Sequence, residues 1–354
     1  LSQFTSGPVL SALDAITEAQ KIAFAPILFQ TAWCLRETGL LAFFDQHPEG
    51  ASTEMAAAAC DLTPYAAGVL LDMGVSGAII YTHTNGYSLS KVGHFLLHDK
   101  MTRINMEFTQ NVCYQAMGHL LESIREGKPA GLKVFGDWAT IYPALSQLPE
   151  PAKTSWFDFD HFYSDNAFAT ALPHVQALQP KHLYDVGGNT GKWALMCAAA
   201  DPELQVTLVD LPQQLALAQV NIEAAGLSDR VRGHAADLLH AETLPGEADV
   251  WWMSQFLDCF SEEQVVTILR LIRRSMKPEA RVCILELFWD RQPFEAASFS
   301  LNATSLYFTC LANGNSRFYH SKVMTRCLRE AGFKIDDEID HIGRGHTLLI
   351  ASPC

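Results

Sequence analysis

Two hydrophobic rhythms run along the chain, and the switch between them divides it. Across residues 8–47 apolar side chains recur at helical spacing, and over 22–35 they cover nearly every face. A helix that is apolar all round must be buried on all sides. In a terminal segment this predicts a partner chain as the cover, and so a homodimer. Residues 51–97 predict a helix over 52–59, a turn, a second helix opening at Pro64, and a hairpin around Asn85-Gly86. That order is helix-turn-helix plus wing. Residues 101–155 read as helical, with turns at Gly127-Lys128-Pro129 and Gly131 and a linker at 148–151, and a further helix is expected over 157–178. From there the pattern changes. Short apolar runs at 183–186, 206–209, 231–234, 250–253 and 281–288 alternate with helical spacing at 192–200, 213–225 and 262–276. Strands covered on both faces read as continuous apolar runs, so the alternation predicts a doubly wound parallel sheet. Helices over 296–312 and 321–331 and a closing hairpin of 335–339 with 347–351 complete an α/β fold. The expected segments are a helical winged-helix domain (1–100), a helical linker (101–178) and the sheet domain (179–354).

Composition narrows the function classes. Of 354 residues 49% are hydrophobic and 18% charged, so a sizeable core is available. The net charge of −14 opposes nucleic acid and anionic membrane as partners. The helix that would read DNA, from Pro64 to Met73, holds no Arg or Lys, and residues 45–100 carry six acids against two lysines. Phosphate neutralisation supplies most of the affinity of DNA binders, and the charge for it is missing. The apolar stretch 22–35 is too short, and too interrupted by Pro26, Gln30 and Thr31, to span a bilayer. Nine scattered cysteines without a C-x-x-C pair read as reduced thiols, which places the expected location in the cytoplasm. No secretory leader is expected, and because Leu1 is not a methionine some preceding residues are expected to be missing. His161, His174, His234 and His341 lack the spacing of metal ligands, so no metal is expected.

The chemistry concentrates at residues 184–191, Tyr-Asp-Val-Gly-Gly-Asn-Thr-Gly, between an apolar run and a helical pattern. Strand, glycine loop and helix N-terminus in that order bring backbone N–H groups against a ligand with no Cβ in the way. Nineteen residues past Gly191, Asp210 ends the next strand, placed to accept hydrogen bonds from ribose hydroxyls. The pair points to a nucleoside. Here the loop reads Asp185-x-Gly187-Gly188-x-x-Gly191, not G-x-G-x-x-G. An acid before the glycines repels a pyrophosphate and attracts a cationic amino-acid ligand, which argues against a nicotinamide-dependent oxidoreductase.

Further blocks follow in order: Asp210-Leu211-Pro212, then Gly233 to Asp237-Leu238-Leu239, then Lys277-Pro278 ahead of the run at 281–288. Together they resemble the class I S-adenosylmethionine (SAM)-dependent small-molecule O-methyltransferases, of the plant caffeic-acid and bacterial antibiotic-pathway types. The resemblance runs from about residue 8 to the C-terminus. It implies a mostly parallel seven-stranded sheet, an N-terminal winged-helix domain used for dimerisation, and SAM as cofactor. It also implies cofactor contacts at Asp185, Gly187, Gly188, Asn189, Gly191, Asp210, Leu211, Asp237, Leu238 and Ser254. Substrate contacts fall on Phe159, Tyr163, Asn166, Tyr307 and Phe308, lining a pocket for a small aromatic or conjugated metabolite. In the family a histidine in a His-Asp-Trp block is the base, flanked by two glutamates. Asp258 stands in the histidine's place, Glu286 keeps one glutamate, and the other maps to Ser316. An ordinary carboxylate lies about 6 pKa units below a phenol, roughly 8 kcal/mol of uphill proton transfer. Unless burial raises its pKa by several units, Asp258 is then expected to orient a hydroxyl or pair with a basic nitrogen. O-methylation leads the readings. N- or C-methylation, or SAM binding without turnover in a scaffold or regulatory role, stand beside it.

Overall fold

The structure is a computed structural model that describes residue 7 and residues 9–354. Residues 1–6 and 8, which open the expected first domain, lie outside the described residues. The chain divides into two compact units, residues 1–110 and 111–354.

The first unit is helical around one small hairpin. Its elements are α1 (Ala12–Ala23), α2 (Ala25–Glu37), α3 (Leu40–Asp45), α4 (Thr53–Ala59), α5 (Pro64–Ser76), β1 (Ile80–His83), β2 (Gly86–Leu89), α6 (Lys91–His98) and α7 (Lys100–Phe108). Side chains of Ser52, Thr63 and Ser90 cap α4, α5 and α6 by accepting from backbone N–H groups three residues on. The hairpin pairs Ile80 with Leu89 and His83 with Gly86, so the expected helix-turn-helix and wing are present. The stretch read as one apolar helix is two. Pro26, at the first turn of α2, has no N–H to continue the preceding helix, and the chain restarts at Phe24. Leu35, Leu40, Leu41, Phe44, Leu71 and Ile80 form the core of this unit, whereas α1 buries none of its residues.

The second unit opens with a less regular run than the helical spacing predicts. A π turn (Thr109–Cys113, its first two residues in the first unit), α8 (Leu120–Glu126) and tight turns at Ala130–Val134 and Tyr142–Gln147 fill it. Gly127, Pro129 and Pro143 interrupt the α-helical ladder. Then come α9 (Ala152–Gln176), β3 (His182–Val186), α10 (Lys192–Ala200), β4 (Gln205–Asp210), α11 (Pro212–Ala224), β5 (Val231–Ala235), β6 (Val250–Ser254), α12 (Glu262–Ser275), β7 (Arg281–Glu286), α13 (Glu295–Tyr307), α14 (Ser321–Glu330), β8 (Phe333–Ile342) and β9 (His346–Pro353).

The seven strands form one sheet in the order β5-β4-β3-β6-β7-β9-β8, parallel through β7, with β9 antiparallel to both neighbours. Alternate residues face opposite sides. Tyr184, Val186, Trp251, Met253, Val282 and Ile284 meet α12 and α14 on one face. Leu183, Leu208, Val250, Trp252, Cys283 and Leu285 meet α9, α10 and α11 on the other. This double burial makes the strands apolar throughout. The order reverses between β3 and β6, where a crevice opens at the carboxyl ends of the strands. Asp185, the glycine loop, Ser254 and Asp258 gather there.

Candidate active site

The loop after β3 fits its job because its glycines cannot be anything else. Gly187 (φ 74°) and Gly191 (φ 81°) take left-handed backbone angles, and a Cβ on Gly187 would run into the Phe256 ring. On Gly188 it would strike Leu208 and the Asp185 carboxylate. Asn189 also sits at positive φ, 51°, which Asn tolerates better than most residues. Asp210 ties the loop down: its Oδ2 accepts from the Asn189 N–H at 2.9 Å and its Oδ1 from the Leu211 N–H at 2.7 Å. The Ala236 N–H donates to the Asp210 carbonyl at 3.0 Å, which brings the 236–239 segment alongside. There the exposed Asp237 accepts from the Leu239 N–H at 3.0 Å and meets His240 at 2.8 Å, whereas Leu238 is packed into the core.

A pocket of about 90 Å³ is lined by Asp185, Gly187, Gly188, Asn189 and Ser254, together with Asp160, His161, Lys192, Trp193 and Trp252. The structure thus brings five of the expected cofactor residues into one cavity and places Asp210 directly behind it. Asp185 is 2% exposed, and its Oδ2 accepts from the Ala194 N–H at 3.2 Å. Burial pushes its carboxyl up to about 8. Ser254 Oγ and the Trp193 and Trp252 indole nitrogens are buried without a hydrogen-bond partner. An acid starved of a counter-charge and a hydroxyl starved of a partner are what a cationic, polar ligand would satisfy.

Just beyond β6, residues 255–260 turn the chain across the same crevice. Glu286, the last residue of β7, holds this turn from below. Its Oε1 accepts from the N–H groups of Phe256 (3.1 Å) and Leu257 (2.9 Å), and its Oε2 is buried without a partner. The turn carries Asp258, 4% exposed. Burial first, then the nearby Asp160 charge, raises Asp258 from the usual carboxylate range to about 7. Glu286 is raised well above its ordinary value by burial and by Asp258. Two carboxyls sharing a dry site hinder each other's ionisation, so both are held above the usual carboxylate range. Burial is the largest cause of the rise at Asp258.

Side chains that sequence reasoning passed over complete the wall. The Cys259 thiol lies 3.5 Å from Asp258 Oδ1 and beside the Tyr142 hydroxyl. Asn313 Nδ2 donates to the Cys259 carbonyl at 2.6 Å and to Ser316 Oγ at 2.8 Å, which places Ser316 beside this wall. The Trp156 indole donates to the Tyr307 hydroxyl at 2.6 Å. These residues come from four separate segments, so no local motif announces them. Of the expected substrate residues, Phe159 and Tyr163 pack ring to ring at 5.0 Å on α9, and Tyr307 is buried beside the Cys259 wall. Phe308 packs against Phe318 at 5.3 Å, and the exposed Asn166 folds its amide onto the Phe162 carbonyl of its own helix at 2.6 Å.

Residues 117–334 match the O-methyltransferase domain family, and residues 17–87 match a Dimerisation2-like domain. The chain belongs to the SAM-dependent O-methyltransferase family. Among its relatives, O-demethylpuromycin-O-methyltransferase of Streptomyces alboniger is 26% identical over 81% of this chain and 75% of its own length. L-tyrosine C(3)-methyltransferase of Streptomyces lavendulae is 23% identical over 94% and 91%. The apo structure of the S-adenosylmethionine-dependent methyltransferase SibL superposes with a TM-score of 0.71, at 26% identity, covering 94% of this chain and 98% of that one. The O-methyltransferase fold and SAM as the cofactor therefore agree with the sequence reading. Among the described residues no helix is long and apolar enough to cross a membrane.

Proposed function

We propose that this chain methylates the ionised hydroxyl of a small aromatic metabolite, with Asp258 taking the hydroxyl proton. The carrying observation is a carboxyl buried to 4% exposure beside Glu286, at the position where the family uses histidine. Asp185, the 187–191 loop and Ser254 would hold the amino-acid part of SAM, and Asp210, Leu211, Asp237 and Leu238 its nucleoside. When bound, SAM supplies an electrophilic methyl group on a sulfonium. Asp258, titrating near 7, is largely ionised at slightly alkaline pH and ready to accept a proton. Its gap to a phenol is then about 3 pKa units, roughly 4 kcal/mol, half of what an ordinary carboxylate would leave. Glu286 is a positioning residue: it fixes the N–H groups of the Asp258 turn and, staying neutral, leaves the single negative charge on Asp258. Phe159, Tyr163 and Tyr307 form the wall for a flat ring, with Phe308 behind Tyr307 and Asn166 beyond Tyr163 on α9.

A second reading shares this machinery. The relative that acts at C(3) of tyrosine favours methylation of a ring carbon. Ionising a phenol makes its ortho carbon nucleophilic too, so the same proton acceptor serves. Two copies pair through residues 8–47, residues 101–178 link and line the substrate side, and the enzyme works in the cytoplasm. The test is a panel of catechols, hydroxybenzoates and tyrosine analogues incubated with SAM and followed by mass spectrometry of the product. A 14-mass-unit gain located on oxygen supports the first reading, and on carbon the second. No product from any phenol, with SAM bound tightly, would leave the binding-only reading standing.

A further inference from the structure

We propose that Asp45, His94 and His98 form a binding site for a divalent transition metal of the zinc class, in the first unit and separate from the methyl-transfer site. His94 and His98 lie four residues apart on α6, so both rings leave the same face of the helix. Asp45, the last residue of α3, reaches both. Its Oδ1 stands 3.2 Å from His94 Nδ1, and its Oδ2 stands 2.8 Å from His98 Nε2. The imidazole rings are 4.4 Å apart, and one donor atom from each of the three residues lies within 4.8 Å of the others.

Tetrahedral zinc with nitrogen and oxygen ligands near 2.0–2.2 Å needs donor atoms roughly 3.3 Å apart. Asp45 already stands 3.2 Å and 2.8 Å from the two imidazole nitrogens, through its two different oxygens, and one donor atom from each residue lies within 4.8 Å of the others, so small side-chain rotations close the set. The three residues also sit on elements that do not need to move: Leu40, Leu41 and Phe44 anchor α3 in the core with no exposed surface, and α6 packs on α3. Two imidazoles and one carboxylate suit zinc, cobalt(II) or nickel(II) rather than calcium or magnesium, which prefer all-oxygen sets. The side chains are exposed (His94 58%, His98 48%, Asp45 31%), so a fourth position faces water. A bound ion would clamp the end of α3 to α6. The i,i+4 histidine pair is visible in the sequence, but its third ligand is 49 residues from His94 and appears only in the fold.

The test uses untagged full-length protein stripped with a chelator. Zinc titrated by calorimetry should bind one ion per chain with a micromolar dissociation constant, and cobalt(II) should give visible ligand-field bands. Asp45→Asn should weaken binding at least tenfold, and the His94→Gln/His98→Gln pair should abolish the bands. Without any substitution, zinc should also protect His94 and His98 from diethyl pyrocarbonate, read by peptide mass spectrometry. Failure of the wild type to bind below about 100 µM would overturn the site. So would affinity unchanged in the double variant or in Asp45→Asn, or modification of both histidines at the same rate with and without zinc.

Discussion

The role proposed for Asp258 rests on burial rather than on residue type. A carboxyl and an imidazole differ by more than two pKa units in water, yet the dry crevice beside Glu286 brings Asp258 to about 7, near an imidazole's own value. Catalytic groups work best when they titrate near the working pH. The same shift has a cost that stability measurements read. Because the folded pKa lies above the unfolded value, the group's contribution is fully present below pH 4 and is lost as pH rises through about 7. Removing the charge should therefore stabilise the protein where Asp258 would otherwise ionise. Asp258→Asn is expected to match the wild type in urea unfolding near pH 4. By pH 8 it should exceed it by an amount on the order of 2–4 kcal/mol. Equal stability of the two proteins from pH 4 to pH 8 would mean that the carboxyl is not held in a dry environment.

At the scale of elements, the loop between β3 and α10 is legible in the sequence because its constraints are local. Gly187 must reach positive φ and leave room for Phe256, and only glycine does both without strain. Gly187→Ala should weaken SAM binding at least a hundredfold by calorimetry, and an affinity within threefold of wild type would contradict the cradle. Strand identities are equally readable, since double burial writes apolar runs into the chain. The split at Phe24 between α1 and α2 is not, because the apolar period carries across Pro26. The turns that replace regular helix over residues 109–147 escape the pattern for a related reason. Helical spacing there reflects burial in a packed unit, not continuous i to i−4 hydrogen bonding. Tyr142 and Asn313 are illegible because they reach the Asp258-Cys259 turn only through long-range folding.

For the whole molecule, α1 is the element without an explanation inside one chain. It buries no residue, and Leu13, Ile16, Ile22, Phe24 and Ile27 along α1 and the start of α2 are all more than half exposed. Contiguous apolar surface of this kind marks an interface. Pairing through residues 8–47 predicts a dimer near twice 39.1 kDa in light scattering at micromolar concentration, and Leu13→Asp/Ile16→Asp should shift it to monomer. A wild type that runs as a 39.1 kDa monomer under those conditions would remove the dimer from the account. Charge points the same way as the fold. The net charge of −14 disfavours anionic partners, and the buried Asp185 stands at the crevice proposed to take a cationic cofactor.

The claim on which the rest turns is that Asp258 takes the acceptor proton, and its most direct measurement is the pH dependence of kcat on a phenol the wild type methylates, with SAM saturating. The wild type should gain rate through a single ionisation near 7 and level off above it. Asp258→Asn should lose that ionisation and fall about 10²–10⁴-fold in kcat while binding SAM as before. A wild-type profile flat from pH 6 to 8, or an Asp258→Asn variant within fivefold of wild type, would show that the proton leaves by another route.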